Sequence, residues 1–487
     1  NKGVLSMNIL PQILKISSKN LLVNHFVDEF KKKIDHLFER FIYGKATHPY
    51  LSFFLELQNM MNQLVNIFIG KYFQMIDMDF RDSEERRKNF VINKSNVPRT
   101  LITIFGTITF NRTLYQHKTT GEYYFYVDDV CGIDAYKNYD PLVRALLIQD
   151  SVLTNPNHTS LFSSLSSLNL LDMLKGQLSI PKQTIYKMKQ ETKIRKIVYD
   201  EIKTTNYTLY VMVDEKWIHE QDKTKPNQKK WIMGKCFVLF TGIKRKGKRS
   251  QLVGRHIFMT TSNEPWKELM NEIDKIYNFE EINTINLLSD AGSWILSGTH
   301  ELKLYSNNKL IINTCEFHVK QKINRSTSDK ELRQQIADII YKNEDKNAFI
   351  KEMDELIESK EKESRKQKIT EYKNYILKHW KGILNMKYSL CKSSMESHIQ
   401  HCMASAFSSV PKGYSRKNIE TYMKLQEMFL NGVSIFEYYL DTYNSDDNYE
   451  FNKEKEVNYS LFESSTSNMP ILKSSSNVSH GLHSLIC

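Results

Sequence analysis

The chain has few cysteines for its length and no long apolar run. Its six cysteines, among 487 residues, are scattered without regular spacing, unlike the dense disulfide framework of a small secreted domain. No stretch reaches the roughly 18 consecutive apolar residues of a transmembrane helix, and no internal repeat is visible. The first residues lack the basic, apolar, small-residue order of a secretory signal. We therefore expect reduced thiols, an intracellular location and no membrane association.

Acidic residues are outnumbered by basic ones. The sequence holds 56 Asp and Glu against 68 Lys and Arg, which gives a formal net charge of +12. A basic balance is expected of proteins that neutralise phosphates, although many lysine-rich proteins bind nothing anionic. The length allows two or three domains, and 40% hydrophobic with 25% charged residues fits a globular protein. Charge alone thus indicates nucleic-acid binding without establishing it.

Helical and β patterns alternate along the first two hundred residues. Residues 1–98 predict a helical region, because Phe26–Phe41 spaces its apolar side chains by three or four positions. Residues 99–135 predict a small β unit, in which β-branched and aromatic residues alternate around a glycine and again over Glu122–Val127. Residues 136–200 return to a helical pattern.

The region 136–200 ends in two predicted helices, Leu161–Gln177 and Ser179–Lys193, joined by a short turn. This arrangement resembles a helix-turn-helix, whose second helix reads DNA. The side chains placed to reach phosphates and base edges are Lys182, Gln183, Thr184 and Lys187. The alternative is an ordinary helical pair with a solvated basic face.

From residue 205 the pattern is that of an α/β domain. Five apolar segments predict strands and one amphipathic segment a helix, in the order Tyr207–Val213, Lys230–Ile243, Gln251–Met259, helix Glu264–Tyr277, Thr284–Leu288 and Lys309–Asn313. Three antiparallel strands and a helical crossover to further strands are the order of an RNase H-like core. We predict its first part over 205–325, an all-α insertion over 326–382, its last part over 383–440 and a flexible Ser/Asn-rich tail over 441–487.

Two predicted strands run directly into an aspartate, Asp214 and Asp290. An aspartate after a strand is more often a cap, but these two would share the carboxyl edge of one sheet, where α/β sheets hold ligands. Carboxylate oxygens suit Mg²⁺, with Mn²⁺ as a substitute. Two such ions roughly 3.5–4 Å apart promote in-line phosphoryl transfer. The third carboxylate that this chemistry needs is assigned to Glu396, near the start of a predicted helix.

The residues around these acids form four words in a fixed order: Asp214-Glu215…Gln221, Asp290…Trp294-Ile295, Phe317-His318…Lys320 and Ser394-Met395-Glu396…Ile399…His401. They resemble those of the ISLre-type insertion-sequence transposases of Firmicutes and related bacteria, a family long described as uncharacterised, and more broadly Mutator-type transposases. An upstream word agrees: Arg99-Thr100…Phe105-Gly106…Phe110-Asn111-Arg112…Tyr115. The resemblance spans about residues 80–435.

The resemblance implies a bacterial DDE transposase that cuts transposon ends and transfers strands into target DNA. It implies two Mg²⁺ ions on Asp214, Asp290 and Glu396, double-stranded DNA as partner, a homo-oligomer on DNA and a nucleoid-associated location in the cytoplasm. Two alternatives stay open: an RNase H-fold nuclease, and a decayed or domesticated protein that only binds DNA. Ala406 and Val410 favour the latter, because they stand where the family has arginines.

Further candidates lie near these words. His318 could position the scissile phosphate or shuttle a proton, although a core histidine is the plainer role; with Cys315 it has the spacing of half a zinc site. Trp217 and Trp294 could stack on an unpaired base, but core packing is the commoner role. Basic residues suited to the DNA backbone, unless they form a solvated face, are Lys244, Arg245, Lys246, Lys248, Lys320 and Lys322.

Overall fold

The computed structural model describes residues 16–43, 49–153, 182–202, 207–221, 230–246, 249–305, 309–389, 403, 407, 414–443, 445 and 450–452. The fold divides into two compact units. Within the described residues, the boundary falls between Met188 and Lys189.

The first unit combines two long helices with a small sheet. Helices α1 (Ile16–Tyr43) and α2 (Pro49–Arg81) pack together through apolar side chains that include Leu37 and Leu64. Their apolar residues recur at helical spacing, which gives each helix one face that must be buried. The other described helices of this unit are short: α3 (Glu84–Asn89), α4 (Tyr126–Val130), α5 (Pro141–Leu153) and α6 (Lys182–Glu191), which crosses the unit boundary.

The sheet of the first unit begins earlier than its sequence pattern predicts. Strand β1 (Phe90–Thr103) starts nine residues before the predicted boundary at 99 and pairs with β2 (Gly106–His117), with Phe90 opposite His117. Two register shifts and a proline interrupt the alternation of β1, which hides a strand from a period-two reading. Of the predicted strand 122–127, only β3 (Tyr123–Tyr124) forms, because the chain then turns into α4.

The arginines of this sheet have structural roles. Arg99 donates hydrogen bonds to the backbone carbonyls of Asp134 at 3.0 Å and Lys137 at 2.6 Å. Arg112 forms an ion pair with Asp128, and both side chains are nearly buried. The structure therefore explains the two arginines of the upstream word. Both hold in place the segment that contains Asp128, Asp134 and Lys137.

The second unit is built on a mixed five-stranded sheet. Its strands, in spatial order, are β11 (Lys309–Thr314), β10 (Thr284–Ser289), β5 (Thr208–Glu220), β6 (Lys230–Phe240) and β9 (His256–Thr260). β6 pairs antiparallel with β5 on one side and with β9 on the other, whereas β10 and β11 run parallel to β5. The predicted α/β class is confirmed.

Helices α7 (Pro265–Ile276) and α8 (Ser293–Tyr305) contribute buried side chains to the main core of this sheet. Gly298 lies so close to the Trp266 ring that a β-carbon there would meet it at 1.9 Å. Full burial of one such aliphatic or aromatic side chain stabilises by about 1.5–3 kcal/mol, so this core fixes the strands firmly. Its members from the strands are Leu209, Val211, Val213, Phe237, Leu239, Phe258, Ile285 and Leu287.

The composition of Gln251–Met259 predicts one strand, but the structure has two strands there. β8 (Arg249–Val253) pairs with β7 (Gly242–Lys246) in a separate hairpin, and β9 begins only after Gly254. Gly254 has a φ of 58°, and this left-handed conformation ends the first strand. Three of the basic candidates for the DNA backbone lie on β7: Lys244, which is exposed, and Arg245 and Lys246, which follow it. Lys248 lies outside the described residues.

An all-helical module follows β11 and has an apolar core of its own, which includes Ile336, Phe349 and Ile369. The predicted insertion spans 326–382, whereas the helices extend beyond both limits. Asn385 of the last helix donates a hydrogen bond to the Ile312 carbonyl of β11 at 2.9 Å, which ties the module to the sheet. Its elements are α9 (Glu316–Ser326), α10 (Lys330–Asp338), a π-helical turn (Ile339–Asn343), α11 (Lys346–Glu358), α12 (Glu363–Lys378) and α13 (Trp380–Tyr388).

Helix α14 (Arg416–Leu430) protects the open edge of the sheet. Asn431, which follows it, accepts a hydrogen bond from the Ile257 N–H at 2.8 Å and donates one to the Ile257 carbonyl at 2.7 Å. Glu427 accepts from the Met259 N–H at 2.6 Å. These side chains replace the strand that β9 lacks on this side, so its backbone groups are paired instead of offering a template for another chain.

Asn431→Ala is expected to lower the free energy of unfolding by about 2 kcal/mol, because the buried N–H and carbonyl of Ile257 would both lose their partner. Urea denaturation measures the change. Lys417→Ala, at an exposed position of α14, is the matched control and should shift stability by less than about 0.5 kcal/mol. Equal stability of the two variants would contradict the proposed edge protection.

The remaining elements close the second unit. Helix α15 (Ile435–Thr442) follows α14, and β12 (Glu450–Asn452) pairs in parallel with β4 (Lys196–Val198). Within the tail predicted to be flexible, three residues thus form a strand. No helix among the described residues combines the length and apolarity that crossing a bilayer requires.

Candidate active site

Asp214 lies within a long strand rather than at its end. β5 continues past it to Glu220 and pairs with β6 throughout. The pairing with β10 stops at Met212, which lies opposite Leu288. Asp214 therefore lies just beyond the point where the pairing with β10 ends, in a part of the sheet formed by β5, β6 and β9. The predicted strand end at Val213 is wrong, because β6 supports the polar continuation of β5.

Asp290 follows β10 directly, and the register between β10 and β5 places it level with Asp214. Each acid lies two residues beyond the last pair of β5 and β10, so the parallel register brings both to the same sheet edge. The turn after Asp290 is fixed by the Gly292 N–H, which donates to Asp290 Oδ1 at 2.8 Å, and by Ala291 with a left-handed φ of 65°. The Tyr375 hydroxyl, from α12, donates to the Asp290 backbone carbonyl at 2.5 Å.

Negative charge accumulates at this edge of the sheet, here called the acid edge, and His318 and Lys235 offset it only in part. The pKa of Asp214 is raised to about 6. Burial is the largest cause; a hydrogen bond from the Glu215 N–H opposes it, and the charges of Asp290 and Glu215 add to it. Burial also raises the pKa of the Glu215 carboxyl. Carboxylates whose charge the fold itself disfavours are stabilised when a cation binds between them.

Glu215 is a site residue to which the sequence assigned no role. As strand neighbours, Asp214 and Glu215 point to opposite faces of the sheet, and Trp294 Nε1 donates to Glu215 Oε2 at 2.6 Å. Trp294 packs against the main core, so its predicted packing role is confirmed. Trp217 is 52% exposed, so packing does not explain it.

Trp294→Phe is expected to lower the free energy of unfolding by about 1 kcal/mol, because the aromatic packing stays while the partly buried Glu215 carboxylate loses its donor. Chemical denaturation followed by circular dichroism measures this. Trp231→Phe, at a tryptophan of β6 that is 54% exposed, should leave stability within about 0.5 kcal/mol of the parent. If both variants lose the same free energy of unfolding, the Trp294–Glu215 hydrogen bond makes no specific contribution to stability.

Helix α9 begins beside the acids. The Cys315 N–H donates to the Ser289 carbonyl at 2.7 Å, which places the start of α9 next to Asp290. A hydrogen bond with Cys315 raises the pKa of His318; burial lowers it, and the charges of Asp290 and Asp214 raise it again. The Nδ1 atom of His318 is buried and has no hydrogen-bond partner among the described residues. His318 thus lies close enough to the acids for its predicted role, which stays a prediction.

Zinc binding at Cys315 and His318 also stays a prediction. In the described parts of the chain, no group of three or more His, Cys, Asp or Glu side chains is arranged to hold a metal ion. The third predicted ligand of the acid edge, Glu396, lies outside the described residues. The two aspartates that are described supply carboxylate oxygens, which are the donors that Mg²⁺ and Mn²⁺ prefer.

The basic candidates have different surroundings. Lys320 is exposed and forms an ion pair with Glu316 at 2.6 Å. Lys322 is half-buried, with its Nζ 4.1 Å from the centre of the Tyr375 ring. On α6, Gln183 and Lys187 are exposed and Thr184 is half-buried, whereas the side chain of Lys182 and the predicted preceding helix 161–177 lie outside the description. DNA contacts of these residues stay predictions.

The profile of one family, described as "Uncharacterised protein family (UPF0236)", matches residues 52–440. Two similar proteins of Caldanaerobacter subterraneus subsp. tengcongensis are each called UPF0236 protein. One is 26% identical over 368 residues, 74% of this chain and 74% of its own length, under a name that joins four locus designations. The other is 23% identical over 389 residues, 78% of each chain, under a name that joins eleven.

Among solved structures, the chain is similar to one titled "Drosophila P element transposase strand transfer complex". The sequence identity is 11% and the TM-score 0.24, with 63% of this chain and 82% of that chain covered. Values this low carry no argument about fold or activity.

Proposed function

We propose, from the premise that this chain belongs to the uncharacterised protein family UPF0236, that it is a DNA transposase of the DDE type. It would cut transposon ends by metal-dependent hydrolysis and join the freed 3′-hydroxyl to target DNA. The observation that carries the proposal is the position of Asp214 and Asp290 at one edge of two adjacent parallel strands. In phosphoryl transfer with two metal ions the ions lie close together, and neighbouring carboxylates can hold them there.

The sheet supports an RNase H-like assignment of the core. Three antiparallel strands, β5, β6 and β9, lie beside two strands parallel to β5, and the chain crosses over through α7 and α8. The first acid lies on the first strand of this sheet and the second directly follows the fourth. The two acids are neighbours because β5 and β10 are adjacent and parallel in this sheet.

The donor chemistry of the acid edge fits Mg²⁺, with Mn²⁺ in its place. Asp214 and Asp290 would hold the ions together with Glu396. Two ions held there would supply activation of the attacking oxygen and stabilisation of the leaving oxygen. The protein fixes the carboxylates beforehand: pairing with β6 holds Asp214, while Gly292 and Tyr375 hold the turn at Asp290. Such preorganisation means that little rearrangement accompanies the reaction.

The relatives add a separate line of support. The names of two of them join four and eleven locus designations. One protein name that covers many loci is expected when a coding sequence has been copied to many positions, which is the product of transposition. The same property is not expected of a repair or junction nuclease.

The test uses the full chain and a labelled DNA fragment that carries the inverted repeats flanking its coding region, with unlabelled target DNA and Mg²⁺ or Mn²⁺. We expect nicks at the repeat ends and labelled products joined to the target. Cleavage without joining would favour a nuclease of the same fold. Binding without cleavage in Mn²⁺ would favour a decayed copy that only binds DNA. Absence of both binding and cleavage would overturn the proposal.

A further inference from the structure

A surface of the helical module that carries one cationic side chain lies beside Asp290. It consists of Lys322 on α9, Tyr375 on α12 and His379 directly after α12, and is here called the tyrosine shelf. The Lys322 Nζ lies 4.1 Å from the centre of the Tyr375 ring, and the rings of Tyr375 and His379 are 4.8 Å apart. The Tyr375 hydroxyl reaches the backbone of Asp290. The shelf is thus attached to the turn that carries the second acid.

Lys322 has no partner that fully balances its charge. Among the described residues, no carboxylate forms an ion pair with it, whereas Lys320 is paired with Glu316. Burial lowers the pKa of Lys322, and the charge of Asp290 opposes this. A half-buried ammonium group is costly unless an anion meets it, and the face of an aromatic ring compensates only in part.

The negative charge of Asp290 cannot at the same time neutralise Lys322 and bind a divalent cation at full strength. When its carboxylate holds a metal ion, the local charge becomes more positive and Lys322 faces a cation. An anion that approaches both the metal ion and Lys322 removes this conflict. The oxygens of a phosphodiester have the required charge and accept hydrogen bonds from an ammonium group.

We propose that the tyrosine shelf binds a backbone phosphate of DNA next to the acid edge, with Lys322 as the contacting group and Tyr375 as the positioning residue. This inference rests on the proposed function, because it takes DNA as the substrate. It gives the helical module a role: the module supplies one wall of the active site and orients the strand that is cut. Lys322 is placed by helix packing, so its ammonium group is directed before DNA arrives.

The test measures binding of the full chain to a mixed-sequence DNA duplex over a range of salt concentrations, in EDTA. Lys322→Ala is expected to reduce the slope of log K against log salt by about 0.9, the value for one lost phosphate contact in duplex DNA. Lys368→Ala, at an exposed position of α12, is the matched control and should keep the parental slope. Tyr375→Leu removes the ring under Lys322 and should also reduce the slope, because the ammonium group then loses the contact that positions it. Thermal melting establishes that each variant is folded.

An unchanged slope in folded Lys322→Ala would overturn the proposal, as would an equal reduction in Lys368→Ala. The metal-dependent cleavage assay on the parental protein separates this failure from that of the proposed function. A parental protein that cleaves DNA, with no effect of Lys322→Ala on the slope, refutes the shelf alone. A parental protein that binds DNA through Lys322 without cleaving it refutes the transposase assignment alone.

Discussion

Asp214→Asn is expected to lower the rate of metal-dependent DNA cleavage by about a thousandfold. The substitution keeps the shape of the side chain and removes the charge that would hold a divalent ion. Loss of a metal contact in the transition state costs several kcal/mol, and each 1.36 kcal/mol is a factor of ten in rate. Single-turnover cleavage of labelled transposon ends, at saturating protein, measures the rate.

The matched control for this loss is Asp274→Asn, at an exposed position of α7, which should cleave at the parental rate. Binding of DNA in EDTA should be no weaker for Asp214→Asn than for the parent, since removal of a negative charge does not repel phosphates. Parental cleavage by Asp214→Asn would sink the assignment of the acid edge. Loss of DNA binding together with cleavage would instead indicate a folding defect.

The same substitution is expected to stabilise the protein in the absence of metal. The pKa of Asp214 rises from 3.8 to about 6 on folding, chiefly through burial. The folded state therefore binds a proton more tightly than the unfolded state, and stability is lost as the pH rises from about 3.8 through about 6. Asparagine avoids this loss, so at pH 7 we expect a gain of about 2–3 kcal/mol in the free energy of unfolding.

Urea denaturation in EDTA at several pH values checks both the sign and the pH window. The advantage of Asp214→Asn over the parent should shrink as the pH falls and vanish near pH 3, where the carboxyl is protonated in both states. Asp274→Asn should show no such dependence. Addition of Mg²⁺ should raise the melting temperature of the parent and have little effect on Asp214→Asn. If Asp214→Asn were less stable than the parent at pH 7, the charge of Asp214 would not be unfavourable to folding.

Together the two results distinguish a functional residue from a structural one. A residue that only supports the fold loses activity because it loses stability. Asp214 is expected to do the opposite, because its charge is unfavourable to folding and is retained for binding a cation. Positions that combine a stability cost with a chemical role are typical of active sites.

Much of the second unit could be predicted from local patterns. The strands around Val211, Val238 and Leu287 are short apolar runs between polar segments, and such runs are buried strands in almost any context. The helical module shows apolar residues at helical spacing, as at Ile336, Ile340 and Met353, so its helices follow from periodicity. The four words also predicted a family resemblance, because they depend on residue identity and not on folding. Membership of UPF0236 is shown, and the transposase assignment remains a proposal.

Strand limits were less predictable, because partner strands decide them. β5 runs through Asp214 since β6 pairs with it to Glu220. β1 begins at Phe90 since the far end of β2 lies opposite it. A polar residue inside a paired ribbon resembles a turn in the sequence, and the register alone separates the two cases.

The sequence by itself determined membership of UPF0236 and the α/β class, and it predicted the two aspartates as site residues. Only the tertiary structure placed Trp294 on Glu215, 79 residues away, and Tyr375 on Asp290, 85 residues away. It also placed Asn431 on the strand edge at Ile257, 174 residues away. Periodicity in the sequence shows which face of a single helix or strand is buried, but not which other element covers that face. Contacts between distant residues depend on how complete elements pack, and that information becomes readable only when the chain has folded.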